Sequence, residues 1–191
     1  ETFITVFLIF TLISTYEANS LYQKIKSKGY KYNHPFIPPL YVSVSMIALI
    51  YIPFSGNAIY NPYLILFIFI LIWISDTMSY FFGSLFGRNN LKIEASPNKT
   101  WEGFIGGLFC SVLFSYVSFN FIQEIFPFWK TIVLGFIIPI FGLFGDIVQS
   151  KIKRNAGVKD SGNIIPGHGG LFDRLDSAIG NSFIVLIITI L

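Results

Sequence analysis

Charged residues and cysteine are scarce in this chain of 191 residues. Only 12% of the residues are charged, whereas 53% are hydrophobic and 18% are aromatic, which lies well outside the averages of soluble globular proteins. The single cysteine, Cys110, excludes an internal disulfide and is expected to serve packing alone. The composition therefore predicts an integral membrane protein, and we expect residues 1–191 to form one membrane domain.

Six apolar runs alternate with short polar connections. Several of them approach the roughly 20 residues that a helix needs to cross the hydrocarbon core of a bilayer. The runs cover residues 2–16, 36–54, 62–82, 104–122, 128–145 and 178–191. They predict an all-α fold, a polytopic bundle of transmembrane helices with six spans or partial spans. Because the chain starts at Glu1, we also expect an N-terminally truncated fragment of a longer protein.

The cations are distributed unevenly between the connections. Twelve of the thirteen Lys and Arg residues lie in residues 17–35, 83–103 and 146–177, which are alternate connections. Lys130 is the remaining cation and lies near the opposite face, where it can snorkel to the interface. Because basic loops stay on the cytoplasmic side, this pattern predicts that the three basic connections share the cytoplasmic face.

Two carboxylates stand in or beside the apolar runs. Asp76 lies about two turns before the cytoplasmic end of the third run, and Asp146 is expected to end the fifth. An unpaired charge facing lipid costs roughly 2.5 to 3.5 kcal/mol or more. Asp76 therefore either pairs with a hydroxyl or a cation inside the bundle or serves function, and the functional interpretation is favoured.

Residues 150–176 form a polar block in this apolar chain. Asp173 and Asp176 are three residues apart, a spacing that places both on one face of a helix, and such carboxylates suit Mg²⁺. By itself this spacing is more typical of a solvated helix face. Asp146 and Asp160 add further carboxylates, enough for one or two divalent ions that bridge phosphate oxygens.

A glycine-rich segment within the polar block offers a place for an anion. His168, Gly169 and Gly170 precede the two aspartates, and glycines permit the left-handed backbone and close approach of an anion-binding nest. An ordinary turn before a helix is the alternative. Cations in the block favour phosphate: Lys153, Arg154, Lys159 and Arg174. His168 has no Cys or His partners for zinc, and it suits phosphate hydrogen bonding, proton transfer or loop packing.

The connection of residues 83–103 carries a second polar group. Ser96, Lys99 and Glu102 supply a hydroxyl, a cation and a carboxylate that can reach the same site. An interfacial turn anchored by Trp101 is the alternative, but it does not explain why Lys99 accompanies Glu102.

These motifs resemble the signature of the phosphatidate cytidylyltransferases, also called CDP-diacylglycerol synthases. The resemblance covers roughly residues 70–180, with the catalytic signature at residues 146–177, and it is closer to the bacterial and plastid type. The residues that carry it are Asp76-Thr77, Ser96-Pro97-x-Lys99-Thr100-Trp101-Glu102-Gly103, Ser150-x-Ile152-Lys153-Arg154, Lys159-Asp160-x-Gly162, Pro166-x-His168-Gly169-Gly170 and Asp173-Arg174-Leu175-Asp176.

The resemblance implies a reaction and a set of ligands. CTP and phosphatidic acid would give CDP-diacylglycerol and pyrophosphate with one or two Mg²⁺ ions, and a monovalent ion can accompany them. It further implies a homodimer in the bacterial inner membrane or a plastid-type membrane, with the active site on the cytoplasmic (stromal) face. Membrane lipid is an expected partner, and nucleic acid is not.

The resemblance also implies roles for individual residues. Asp146 and Asp173 would be the principal metal ligands, with Asp176 and Asp76 at a second ion or around the first. Lys153 and His168 would act with these aspartates in catalysis. The expected substrate-binding residues are Ser96, Lys99, Glu102, Ser150, Arg154, Lys159, Asp160, Gly169, Gly170 and Arg174.

Two other functions remain open from the sequence. A CTP-dependent lipid-alcohol kinase would use the same groups but would transfer the terminal phosphoryl group. A cation or proton transporter would explain Asp76 and Asp146, although it would not explain the donors gathered in two loops.

Overall fold

A computed structural model describes residues 1–28, 37–55, 60–164 and 169–191. These residues form six α-helices and two short 3₁₀ helices. The α-helices are α1 (Thr2–Ser27), α2 (Ile37–Tyr51), α3 (Pro62–Phe86), α4 (Trp101–Ile122), α5 (Phe128–Ala156) and α6 (Asp176–Ile190). The 3₁₀ helices are η1 (Ile52–Phe54) and η2 (Phe172–Arg174). The described part of the chain contains no strand, so the predicted all-α fold is confirmed.

Four of the helices are long and apolar enough to cross a membrane, namely α1, α3, α4 and α5. Their outward surfaces are rich in exposed aromatic side chains, as expected where lipid replaces water. Trp73, Phe109 and Phe121, for example, are 72%, 62% and 86% exposed. The protein is therefore a multi-pass membrane protein, while α2 and α6 have only 15 residues each.

The largest differences from the predicted apolar runs lie at the C-terminal ends of two helices. Helix α1 continues to Ser27 instead of ending near Tyr16, and α5 continues to Ala156. Asp146 therefore lies within α5, and the end of the fifth membrane span at Asp146 stays a prediction. The α5 helix ends at Gly157, whose φ of 71° allows its N–H to bond the Arg154 carbonyl at 2.9 Å. Helix ends depend on such caps and not on hydropathy.

Small residues bring α3 and α4 into close contact. One face of α4 presents Gly103, Gly106, Gly107, Ser111 and Ser115, all buried. A Cβ at Gly107 would lie 2.7 Å from the Ser75 carbonyl oxygen on α3. Glycine and serine at such a contact let two backbones approach, which is the usual way helices associate in membranes.

Helices α5 and α6 meet in the same way, through glycine on both sides. A Cβ at Gly145 would lie 2.8 Å from the Cα of Gly180 and 2.7 Å from the Asp176 carbonyl oxygen. This close approach sets Asp146, the next residue on α5, beside the first turn of α6. The backbone packing of two apolar helices thus positions two carboxylates.

Candidate functional site

A cavity of about 540 Å³ lies between α3, α4, α5 and the first turn of α6. Three carboxylates and one cation line it: Asp76, Asp146, Asp176 and Lys99. Hydroxyl groups and apolar side chains complete the wall, including Ser79, Ser177, Phe104, Pro139 and Leu143. The sequence places these four charged residues over a stretch of 100 positions, and the fold brings them to one cavity with both a polar and an apolar wall.

Lys99 and Asp146 form an ion pair across this cavity. Both side chains are about one quarter exposed, at 26% and 27%. The other Asp146 oxygen, Oδ1, accepts a hydrogen bond of 3.1 Å from the Ser150 hydroxyl one turn further along α5. Asp146 is thus held between a loop cation and its own helix.

The α3–α4 connection holds Lys99 at the cavity through a short backbone ladder. The Leu91 N–H donates to the Lys99 carbonyl at 2.8 Å, and the Trp101 N–H donates to the Asn89 carbonyl at 2.9 Å. Glu102 closes the ladder, because its carboxylate accepts from the Asn89 amide side chain at 2.7 Å. Ser96 lies in a half-buried turn before Lys99 and does not line the cavity.

Asp76 and Asp176 complete the acidic wall of the cavity. Both line it beside Ser177, whose backbone N–H donates to the Asp176 Oδ1 at 2.8 Å. Asp76 lies at the same end of the bundle as the polar block, as the sequence predicted.

Asp173 lies beside the cavity and is bound by protein donors on both oxygens. Its Oδ1 lies 2.7 Å from the Lys153 ammonium. Its Oδ2 accepts from the Ser161 N–H at 2.7 Å, the Ser161 hydroxyl at 2.9 Å and the Gly170 N–H at 3.0 Å. Burial alone would raise the pKa of the Asp173 carboxyl, but Lys153 and these hydrogen bonds outweigh it and hold the pKa below 3.8, its ordinary value.

Asp173 and Asp176 do not share one helix face, so the geometry predicted from their spacing is wrong. Asp173 belongs to η2, which ends at Arg174, and Asp176 begins α6. Between them Leu175 has φ −111° and ψ 11°, which breaks the helical path. Asp173 consequently faces Lys153, whereas Asp176 faces the cavity.

The glycine segment shows the predicted left-handed backbone, and part of it binds carboxylates of the protein itself. Gly169 has φ 86°, and a Cβ there would lie 2.9 Å from Asp173 Oδ2. The Gly170 N–H donates to Asp173, and the next two N–H groups, of Leu171 and Phe172, donate to Glu17. Three successive N–H groups facing anions correspond to a nest.

Glu17 is a site residue that the sequence-based prediction missed. It lies on α1, is only 3% exposed, and accepts from the Phe172 N–H at 2.8 Å and the Ser161 hydroxyl at 3.1 Å. The sequence does carry a signal for Glu17, because this carboxylate directly follows an apolar run, just as Asp76 lies within one. Its assignment to a basic loop hid it.

The remaining predicted residues lie on the surface of the polar block. Lys159 and Asp160 are exposed, and so are Arg154 and Arg174. Arg154 donates to the Val158 carbonyl at 3.4 Å beyond the end of α5. His168 lies outside the described residues.

The cavity suits a magnesium ion by the chemistry of its donors. Within residues 1–28, 37–55, 60–164 and 169–191, no three His, Cys, Asp or Glu side chains are grouped tightly enough to hold a metal by themselves. Mg²⁺ does not need such a group, because it keeps several waters and binds one or two carboxylates together with substrate phosphates. Asp76, Asp146 and Asp176 supply hard oxygen atoms of that kind, so the residues present fit the ion.

The fold and the site together define a multi-pass helical membrane protein with a charged cavity at one end of the bundle. The sequence profile of the Cytidylyltransferase family matches residues 1–191, and the chain belongs to this family.

Similar proteins occur in staphylococci. The chain is 43% identical over 136 residues to the phosphatidate cytidylyltransferase of Staphylococcus haemolyticus (strain JCSC1435), which is 71% of this chain and 52% of that protein. It is 48% identical over 113 residues to that of Staphylococcus saprophyticus (59% and 44%), and 41% identical over 136 residues to that of Staphylococcus aureus strain COL (71% and 52%). The chain spans about half the length of these curated relatives.

Proposed function

We propose that this protein transfers CMP from CTP to phosphatidic acid, giving CDP-diacylglycerol and pyrophosphate. A phosphate oxygen of phosphatidic acid attacks the α-phosphorus of CTP. The new P–O bond forms as the bond from the α-phosphorus to the bridging α–β oxygen breaks, and the electron pair leaves with pyrophosphate. The relatives named above carry this activity in their names, and the chain belongs to their family.

One observation carries the proposal: three carboxylates and a lysine converge in a cavity that is also walled by apolar side chains. Phe104, Pro139 and Leu143 line the same space as Asp146 and Lys99. A lipid phosphate needs both environments, because its headgroup is charged and its acyl chains are apolar. A soluble nucleotide alone would not require the apolar wall.

The chain's own residues would act by positioning and electrostatics. The phosphate nucleophile is already ionised near neutral pH, so a strong general base is not required, and the barrier falls by holding two polyanions in line. When bound, Mg²⁺ would neutralise phosphate charge. We assign it to Asp146, Asp76 and Asp176, with Asp173 as a further candidate. Lys99 forms an ion pair with Asp146, and it would contact a phosphate group instead when the substrate is bound.

The polar block would hold the nucleotide. Lys153 is assigned to the CTP phosphates, with its ammonium oriented by Asp173 at 2.7 Å. Ser150, one turn from Asp146, would approach the same phosphates. The exposed residues around them, together with the glycines and His168, would cover the triphosphate: Arg154, Lys159, Asp160, Gly169, Gly170 and Arg174. Glu102 and Ser96 would act through the loop that carries Lys99.

The location and assembly of the protein follow from the same proposal. The basic ends of α1 and α5 and the α3–α4 connection support a site on the cytoplasmic face of a bacterial membrane. A homodimer is proposed from the family resemblance alone. Light scattering of the detergent-solubilised protein measures that assembly.

Product analysis of the purified protein tests the proposed function. We expect incorporation of radiolabelled CMP into lipid with release of pyrophosphate when CTP and Mg²⁺ are supplied, and no product with ATP or without nucleotide. Release of CDP with a phosphorylated lipid alcohol would instead identify a kinase. Ion flux in sealed vesicles without nucleotide would identify a transporter, and either result would contradict the proposal.

A further inference from the structure

Glu17 binds the segment that precedes and begins η2, although the proposed reaction does not itself require a carboxylate on α1. Its side chain accepts from the Leu171 N–H at 3.3 Å, the Phe172 N–H at 2.8 Å and the Ser161 hydroxyl at 3.1 Å. A buried carboxylate is costly unless hydrogen bonds compensate it. These three donors make the buried position tolerable, and they tie α1 to residues more than 140 positions away.

Ser161 connects Glu17 to Asp173. The Ser161 Oγ lies 3.1 Å from Glu17 Oε2 and 2.9 Å from Asp173 Oδ2. A hydroxyl has only one hydrogen, so the two carboxylates share one donor and their positions depend on each other. Asp173 in turn binds Lys153 on α5 at 2.7 Å. A continuous set of polar contacts therefore leads from α1 to α5 through the polar block.

Two glycines of the polar block leave room for the Glu17 side chain. A Cβ at Gly162 or at Gly170 would collide with Glu17 Oε1. Neither glycine has the left-handed φ that would by itself demand glycine. At Gly162 the space is occupied by Glu17 on the first helix, and at Gly170 it is occupied by Glu17 together with the Ser161 hydroxyl.

We propose that Glu17 is a positioning residue that fixes Ser161 and the start of η2, and thereby sets where Asp173 and Lys153 stand relative to CTP. The inference rests on the proposed function, because Lys153 is assigned there to the nucleotide phosphates. Glu17 does not touch the reacting atoms. Its effect passes through Ser161 and the backbone N–H groups of Leu171 and Phe172.

Steady-state kinetics with CTP and phosphatidic acid test this role. The variants are Glu17→Gln, Glu17→Ala and the matched control Glu124→Gln, whose side chain is exposed at the opposite end of the bundle. For Glu17→Ala we expect kcat/KM for CTP to fall by about 10²-fold, a typical result of displaced catalytic groups, with a raised KM for CTP. Glu17→Gln keeps one acceptor oxygen and should lose less. Glu124→Gln should match the wild type.

The KM for CTP separates positioning from a merely structural role. If Glu17 served only folding, its loss would lower the apparent kcat with the folded fraction and would leave KM unchanged. An unchanged KM in both Glu17 variants would overturn the proposal. Should Glu17→Ala not fold, Glu17→Gln alone decides, because it preserves the shape of the side chain.

Hydrogen exchange provides a second readout that does not depend on activity. Without nucleotide, the amides of Leu171 and Phe172 should exchange about tenfold faster or more in Glu17→Gln than in the wild type or Glu124→Gln, because their acceptor is weakened. Equal exchange would overturn the proposal. A wild-type protein that transfers no CMP would refute the proposed function alone, and the exchange rates would still decide whether Glu17 holds this segment.

Discussion

The Lys153 ammonium lies 2.7 Å from the Asp173 carboxylate and joins the end of α5 to η2. The two side chains are only 13% and 10% exposed, so water screens the pair weakly. Asp173 also accepts three hydrogen bonds from Ser161 and Gly170. The pair therefore organises the polar block as well as presenting a cation to it.

Breaking this pair on one side should cost more than removing both charges. We expect Lys153→Met or Asp173→Asn to lower the free energy of unfolding by about 3 kcal/mol, because each leaves a partly buried charge uncompensated. The double variant should lose less than either single variant. Chemical unfolding in detergent measures all three. Lys151→Met, at an exposed position of the same helix, is the control, and additive losses would contradict the coupling.

The Asp173 carboxyl should make stability depend on pH at the acid end. Its pKa is held below 3.8 in the folded protein, so its stabilising contribution is complete above the unfolded pKa and is lost as the pH falls through the folded value. Thermal midpoints of the wild type should therefore drop below about pH 3.8 more steeply than those of Asp173→Asn. Parallel pH profiles of the two proteins would show that Asp173 does not contribute.

Asp146 should be essential for CMP transfer. Asp146→Asn removes the charge opposite Lys99, and we expect kcat to fall by about 10²-fold to 10³-fold, the usual loss when one electrostatic group of a site is removed. Lys130→Gln should leave activity near normal, because Lys130 lies at the other end of the bundle and bonds the Thr189 carbonyl. Labelled CTP incorporation measures both. Full activity of the Asp146→Asn variant would show that Asp146 is not a functional residue of the site.

The glycine contact between α5 and α6 should not tolerate a methyl group. A Cβ at Gly145 would meet the Gly180 backbone at 2.8 Å, and backbone cannot move aside as a flexible side chain can. We expect Gly145→Ala to lower the free energy of unfolding by about 1–3 kcal/mol and to reduce activity, because Asp146 moves away from Asp176. Val148→Ala, at an exposed position on α5, should change neither. Melting curves and the CMP-transfer assay compare the two.

Hydropathy and charge predicted most of the helical architecture and part of the site. The apolar runs correspond to the six helices because each run carries its own signal. Asp76 and Lys99 could be assigned to one end of the bundle because the cations gather in alternate connections. Both residues do line the cavity with Asp146. These features need only local sequence and the rule that charges avoid lipid.

Other features depended on contacts that one sequence does not reveal. The spacing of Asp173 and Asp176 suggested a shared face, but the break at Leu175 turns the two carboxylates toward different partners. Glu17 looked like part of a basic loop, yet α1 continues past it and buries it against residues near the other end of the chain. A helix cap or a hydrogen-bond partner far away in the chain determines where such residues lie. Neither produces a periodic pattern in the sequence.

The span between Glu17 and Phe172 has a consequence for how the protein is made. These partners are 155 positions apart, so α1 enters the bilayer long before the ribosome has produced the amides that will satisfy its carboxylate. Until those residues have been made, the Glu17 side chain lacks the donors that hold it in the finished fold. The first helix therefore reaches its final surroundings only when the polar block and η2 pack against it.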